Sequence, residues 1–258
     1  MIDRIDINSD LGESWGAYSI GDDSSMLEIV TSANLACGFH GGDPDVMTES
    51  VRLAKQGGVA IGAHPGFFDL YGFGRRRIYG DSPATLRNQI IYQIGALSGI
   101  ARAGDHQVTH VKTHGSLGNM AAVDETMAEA VVDAMLAVDR DLILVVMPGN
   151  ALDRAARAAG ARIVNEIYAD RTYDDDGNLT PRSEPGAVIH DAAEAKTRAL
   201  QMLEDGAIRS TSGKRIPLRI DTICVHGDNP DGVAMARGLR KAVTDAGVHV
   251  APFHTFVD

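Results

Sequence analysis

Residues 44–66, PDVMTESVRLAKQGGVAIGAHPG, hold one helix-to-strand unit, and the unit recurs along the chain. Asp43 is an N-cap candidate before Pro44, which takes a first helical position where the missing N–H costs nothing. A helix over Pro44 to Gln56 leads into a short apolar strand, Val59 to Ala63, which delivers His64 at its carboxyl end. Outward from this unit, short β-branched or apolar runs alternate with longer stretches of helical periodicity, the pattern of repeated βα units and a mainly parallel sheet. Strands are predicted at Ile2 to Asn8, Thr31 to Cys37, Val59 to Ala63, Val108 to Thr113, Leu142 to Met147, Arg162 to Ile167 and Thr222 to His226. Helices are predicted at Ser24 to Val30, Pro44 to Gln56, Pro83 to Ala103, Asp124 to Val138, Ala151 to Ala159, Ala192 to Glu204 and Pro230 to Ala246. Ser82-Pro83 repeats the capping pattern, and Gly104, Gly160, Gly206 and Gly247 stand where helices close. Seven strands in this order predict an α/β barrel, one domain over residues 1–258; Val248 to Val250 leaves an eighth strand open.

Composition agrees with one core. The chain has 258 residues, 44% hydrophobic and 23% charged, ordinary for a globular protein and within the size of a single α/β barrel. Lys plus Arg number 24 against 35 Asp plus Glu, a net charge of −11 that repels polyanions and makes nucleic acid and anionic membrane poor partners. Apolar runs such as Leu142 to Met147 fall far below the roughly 20 residues that span a bilayer, and MIDRIDINSD has no apolar signal region. Cys37 and Cys224 fit a reducing compartment, and the expected location is the cytoplasm.

Two connections, Pro65 to Asp81 and Asp170 to His190, exceed the usual βα loop, and long loops in compact domains are commonly functional. In the second, an Asp176-Gly177 turn between Tyr173 and Leu179 reads as a β-hairpin excursion. A calcium-loop reading of the same acidic run fails: aligning Gly177 to the required glycine puts Thr172 and Ser183 where carboxylates are needed.

In parallel α/β folds ligands bind at the carboxyl ends of strands, where loops converge. Ionisable residues collect there while the strand bodies read as nearly apolar. The first strand is followed by Asp10 and Glu13, and the second is surrounded by Asn34, Cys37, His40 and Asp43. His64 stands at the third, and Lys112 with His114 at the fourth. Glu166, Asp170 and Arg171 follow the sixth, His226 and Asp228 the seventh. His64, between Gly62-Ala63 and Pro65-Gly66, suits acid/base work, metal ligation or a structural hydrogen bond. Lys112 and His114, two apart, share a face if extended, where lysine beside imidazole stabilises an oxyanion or one of the two caps the loop. Asp10 serves as a base, orients a histidine, or caps a turn at Gly12. Cys37 is placed as a thiolate nucleophile or, preferably, a buried thiol, and Cys224 as core. Of the run Arg75 to Arg77, Arg75 is the anion-binding candidate. No G-x-x-x-x-G-K-[ST], G-x-G-x-x-G after a strand, H-E-x-x-H or G-x-S-x-G occurs.

Six ordered motifs, NSDLGESWG, SANLACGFHGGDP, GAHPGFFDLYGFGRR, HVKTHGSLGN, EIYADRTYDDDGNLTPRSEPGAVI and ICVHGDNP, resemble the LamB/YcsF family over nearly the whole chain. The resemblance implies an irregular seven-stranded βα barrel related to glycoside hydrolases and deacetylases. It also implies the ATP-dependent conversion of 5-oxo-L-proline to L-glutamate by a 5-oxoprolinase, with this chain as the A subunit beside subunits B and C and ATP as cosubstrate of the complex. By position it places these strand-end residues in its motifs without assigning their roles; read from their chemistry, the expected catalytic residues are Asp10, His64, Lys112 and His114. The expected substrate-binding residues are Glu13, Asn34, Cys37, His40, Asp43, Arg75, Glu166, Asp170, Arg171, His226 and Asp228. The fourth motif departs from the family pattern at Thr113, Ser116 and Gly118, and the first carries an unusual Ser9 and Trp15. Within this frame Asp10 and His64 activate water, His114 acts as acid or orienting group, Lys112 stabilises developing negative charge, and Arg171 holds the substrate carboxylate by a paired fork. Two further readings stay open: a deacetylase-like hydrolase holding a divalent metal with Asp10, His40 and His64, and a scaffold or sugar-binding module.

Overall fold

The computed structural model describes residues 2–226 and 230–257. Its elements, in chain order, are β1 (Arg4–Leu11), α1 (Asp23–Leu27), β2 (Ser32–Ala36), α2 (Pro44–Gly57), β3 (Ala60–His64), α3 (Pro83–Ala103), β4 (Val108–Val111), α4 (Gly115–Ala121) and α5 (Glu125–Val138). There follow β5 (Ile143–Val146), α6 (Ala151–Ala158), β6 (Arg162–Tyr168), α7 (Ala192–Asp205), β7 (Ala207–Arg209), β8 (Arg215–Pro217), β9 (Thr222–Cys224), α8 (Pro230–Asp245) and β10 (His249–Val250). Strands β1 to β6 and β9 pair in parallel, and β9 returns to β1 through Asp6↔Thr222 and Asn8↔Cys224, closing a seven-stranded barrel. β10 adds to the start of β1 at Arg4↔His249 and Ile5↔Val250, so the open eighth strand is real but lies outside the closure.

The differences from the predicted elements have local causes. β1 runs to Leu11 rather than Asn8, so Asp10 lies inside the strand instead of after it. α4 went unpredicted because Gly115 and Gly118 depress helix propensity over its seven residues. The antiparallel pair β7–β8 has three residues per strand, too few for a periodic signal. The excursion at Asp176-Gly177 is present: Tyr173 and Leu179 form an antiparallel bridge, and Asp174 N–H donates to Asn178 O at 2.8 Å.

The core lies between barrel and helices. Ile5, Ile7, Leu35, Ile61, Val111, Leu144 and Ile223 face outward and pack with Met47, Val51, Ile94 and Val131, each fully buried aliphatic contributing about 1.5 to 3 kcal/mol. The inside of the barrel is polar, contrary to the expectation of nearly apolar strand bodies. Strand alternation turns Asp6, Asn8, Asn34, His110, Lys112 and Thr222 inward, where they satisfy one another. Asp6 accepts from Thr31, Ser32 and Thr222 hydroxyls. Phe253, in a short 3-10 turn after β10, plugs the amino-terminal end of the barrel with Ile143, Val145 and Val164. No described helix is long and apolar enough to cross a membrane.

Candidate functional site

The register sets Asp10, Asn34, Gly62 and His110 in one row across four neighbouring strands. Gly62 is required there, because a Cβ would collide with the His110 ring that crosses over it to meet Asn34 Oδ1 at 3.0 Å. Asn34 in turn donates to Asp10 Oδ1 at 2.9 Å. Above this row, at the carboxyl ends, opens a cavity of about 560 Å³ lined by Asp10, Glu13, Lys112, His114, Glu166 and Tyr168, and also by Arg75, Arg171, Arg182 and His226. The connection after β3 folds back over His114. Gly74, with φ +63, permits this approach, since a Cβ there would lie 2.7 Å from the imidazole.

Two groups of side chains meet at the cavity wall and in the layer buried behind it. Lys112 Nζ lies 3.1 Å from Asp10 Oδ1, 2.8 Å from Glu166 Oε1 and 3.2 Å from Cys224 Sγ. Its N–H groups are therefore committed to two carboxylates and a thiol rather than free for a substrate oxyanion. Asp10 Oδ2 lies 3.3 Å from His64 Nε2, which is 3.1 Å from His114 Nδ1, which is 3.2 Å from Glu13 Oε1. His40 stacks on His114 at 3.6 Å and donates from Nε2 to Glu13 at 3.1 Å.

The protons in the second group are assigned by its outer bonds. His64 Nδ1–H donates to Lys112 O at 2.7 Å and His114 Nε2–H to Phe73 O at 2.8 Å, so both inner nitrogens present lone pairs. Two lone pairs and two carboxylates then converge with no hydrogen between them, an arrangement that needs a cation. Outer nitrogens fixed on carbonyls are the usual support for metal-binding imidazoles. Glu13, His64 and His114 donor atoms lie within 4.8 Å of one another, with two separations of 3.1 and 3.2 Å near the roughly 3.3 Å edge of a tetrahedral zinc site. The donors present fit a divalent ion. His40 fits less well as a ligand: its Nδ1 is buried without a partner, and binding metal through Nε2 would leave a proton stranded there.

Without an ion, a second proton on His64 meets the same need. Burial alone would lower His64, but the charge of Asp10 overcomes it and raises the imidazole above its ordinary value. Burial opposes charge on Asp10 as well, yet His64 and Lys112 hold its carboxyl well below the usual range. Lys112 stays an ammonium, because Asp10 and Glu166 outweigh the desolvation it suffers. Burial pushes His40 down to about 3, leaving it neutral.

The remaining nominated residues divide. Beside Asp10, within 4.8 Å of it, His226 bonds Asp170 Oδ2 through Nδ1 at 2.6 Å and meets Arg182 Nη2 through Nε2 at 3.3 Å. Arg171 lines the cavity, but its guanidinium donates to Ala187 O and Thr180 O and holds the excursion in shape. Asp43 is a cap, accepting from Asp45 N–H and Val46 N–H, and Gly16 N–H. Cys37 is buried, its thiol donating to Leu35 O, and burial pushes it up to about 12. Asp228 lies outside the described residues. Sequence reasoning missed Tyr168, whose ring lies 5.2 Å from Lys112 Nζ and stacks on His226 at 6.0 Å. Its position two after Glu166, on the same strand face, was the available signal. It also missed Asn8, His110 and the Phe73 carbonyl.

The LamB/YcsF family pattern matches residues 5–258. The chain belongs to the LamB/YcsF family. Within it, the chain is 53% identical over 250 residues to the A subunit of 5-oxoprolinase from Rhodopseudomonas palustris strain BisB5, covering 97% of this chain and 98% of that one. The lactam utilization protein of Thermus thermophilus superposes with a TM-score of 0.91 at 46% identity, over 96% of this chain and 99% of that one. A T48 deacetylase shares the fold at 10% identity and a TM-score of 0.53, over 99% and 92%. Family membership agrees with the barrel and with the six motifs.

Proposed function

We propose that this chain is the A subunit of an ATP-hydrolysing 5-oxoprolinase, opening the lactam of 5-oxo-L-proline to L-glutamate with subunits B and C. The observation that carries this reading is the 53% identity, end to end, with a protein of that name. The sequence contains no phosphate-binding loop, so ATP chemistry is assigned to the partner subunits and hydrolysis of the lactam, or of its activated form, to this cavity.

Ring opening adds a water oxygen to the carbonyl carbon, breaks the C–N bond and delivers a proton to the departing nitrogen. Asp10 Oδ2, directed at His64 and the cavity, accepts the proton from water. Lys112 and Asn34 hold the other oxygen and keep the carboxylate ionised and aimed. Asp10 then delivers that proton to the departing nitrogen, while His226, held at Nδ1 by Asp170 and met at Nε2 by Arg182, lies within 4.8 Å of Asp10 and bounds the site on that side. Glu13, His64 and His114 would hold a divalent ion, which when bound polarises a carbonyl or acidifies water. Lys112 therefore acts by setting the charge of Asp10 and Glu166. The test is glutamate formation from 5-oxo-L-proline by this chain mixed with subunits B and C, with and without ATP; ATP-dependent turnover is expected, and its absence removes the assignment.

The acceptor cluster also favours a second reading, a metal-dependent amide hydrolase that needs no ATP. The same assay with zinc and no nucleotide separates the two.

A further inference from the structure

We propose that Gln93, on the buried face of α3, is a positioning residue for His114, acting through the Pro65–Gly66 backbone rather than by entering the cavity. The proposal rests on the reading of the His64–His114 cluster as the working part of this site. α3 packs against β3 and β4, and its buried positions Leu86, Ile90, Ile94, Leu97 and Ala101 form an apolar stripe at helical spacing. Gln93 stands in the same stripe with none of its surface exposed. A primary amide taken out of water costs free energy unless its polar atoms find partners, so packing alone would favour an aliphatic side chain at this position.

The partner is the backbone of one buried residue on another element. Gln93 Oε1 accepts the Gly66 N–H at 2.9 Å, and Gln93 Nε2 donates to Gly66 O at 3.0 Å and to Gln89 O at 3.2 Å. The amide thus exchanges both polar groups with Gly66, as a hydrogen-bonded residue pair does across two antiparallel strands. These bonds fix its orientation, since a turned amide would set oxygen against two carbonyls and its NH2 against an N–H.

Gly66 transmits the hold. Its backbone runs close beside the stacked rings: a Cβ there would lie 2.8 Å from His40 Nδ1 and 3.4 Å from His114 Cβ. Pro65, the residue before it, accepts the His114 N–H at 2.9 Å, and further along the same connection Phe73 O accepts His114 Nε2–H at 2.8 Å. His114 is therefore held at main chain and ring by one segment, and Gln93 ties the root of that segment to the body of the barrel. A slide of Gly66 would carry Pro65 O away from His114 and open the ring to its other tautomer. Partners behind a metal-binding imidazole set its orientation, and their loss weakens metal affinity or activity by about ten- to a hundredfold.

The test compares Gln93→Met, which keeps the bulk and removes the bonds to Gly66, with Leu97→Ala, which loosens the same helix away from Gly66. Gln93→Glu, which keeps the acceptor and loses a donor when ionised, is the gentler change and decides if the methionine variant does not fold. Long-range proton–nitrogen NMR of the full chain reads the His114 ring, and titration of zinc into the chelator-treated chain reads the cluster. The wild type should show the single Nε2–H form; the Gln93 variants should mix the two tautomers and bind zinc about tenfold more weakly. Leu97→Ala should lower the melting temperature and move neither reading. A wild-type His114 ring in the Gln93 variants that fold would overturn the proposal, and so would a Leu97→Ala chain that shifts as they do. If zinc does not bind the wild type, the NMR comparison decides alone. Glutamate formation by the chain with subunits B and C is read separately: its absence removes the function and leaves the clamp, whereas turnover with an unmoved His114 removes the clamp and leaves the function.

Discussion

His64 Nε2 and His114 Nδ1 face each other at 3.1 Å, each ring anchored by its other nitrogen on a backbone carbonyl, Lys112 O for one and Phe73 O for the other. In their neutral forms neither inner nitrogen has a hydrogen to give, and both stand beside a carboxylate. The pair could hold a divalent ion or, with a second proton on His64, a shared proton.

Zinc titrated into the chelator-treated chain should bind near one ion per chain, with protons released as the imidazole cluster gives up its extra charge. Isothermal titration calorimetry in buffers of different ionisation enthalpy measures both. His114→Ala should abolish stoichiometric binding and His40→Ala should not; equal loss in the two would move His40 into the ligand set.

Replacing Lys112 with Met would leave Asp10 and Glu166 facing each other without their counter-charge, both largely buried. Breaking a buried pair this way costs about 3 to 5 kcal/mol, readable in urea unfolding. Lys112→Met/Glu166→Gln should recover part of the loss. A cost near zero would show that Lys112 is not the group that neutralises them.

Asp6 makes stability depend on pH. Burial pushes its carboxyl from 3.8 up to about 6, so between those values the native state keeps a proton that the unfolded chain has released, and stability falls as pH rises toward 6. His40 and His110 act in the opposite sense: burial pushes both from 6.5 down to about 3, so stability falls as pH drops through that window. Asp6→Asn removes only the first effect. Its stability should rise with pH more steeply than the wild type's between about pH 4 and 6, by up to about 1.4 kcal/mol per pH unit. Parallel curves from denaturation at several pH values would contradict this.

Cys37 should resist thiol reagents in the native state, since burial pushes it up to about 12. Cys37→Ala should leave ATP-coupled turnover unchanged in the reconstituted enzyme. A large loss would restore the nucleophile reading.

The βα alternation was legible because punctuation and apolar periodicity agree locally, as at Asp43-Pro44 and along Val59 to Ala63. That Asp10, Glu13, His64, Lys112 and His114 come together was legible because parallel barrels bring strand carboxyl ends to one rim: four of them line one cavity, and His64 lies buried behind them against Asp10 and His114. What escaped depends on pairing across strands. Nothing local marks Asn8 or His110 as inward, since one face of the strand is defined only when Gly62 and Asn34 arrive from its neighbours. The Phe73 carbonyl is invisible for another reason: it acts through backbone, turned by a conformation that a phenylalanine rarely adopts. Asp43 was overread because a capping carboxylate and a site carboxylate look alike until hydrogen bonds are drawn.

Asp10 and His64, 3.3 Å apart, are proposed to act together on the lactam. Asp10→Asn and His64→Ala, each assembled with subunits B and C and assayed for ATP-coupled glutamate formation, should both lose about a hundredfold or more in turnover while the assembly stays intact. Near-wild-type turnover in either variant, with fold and assembly preserved, would contradict it.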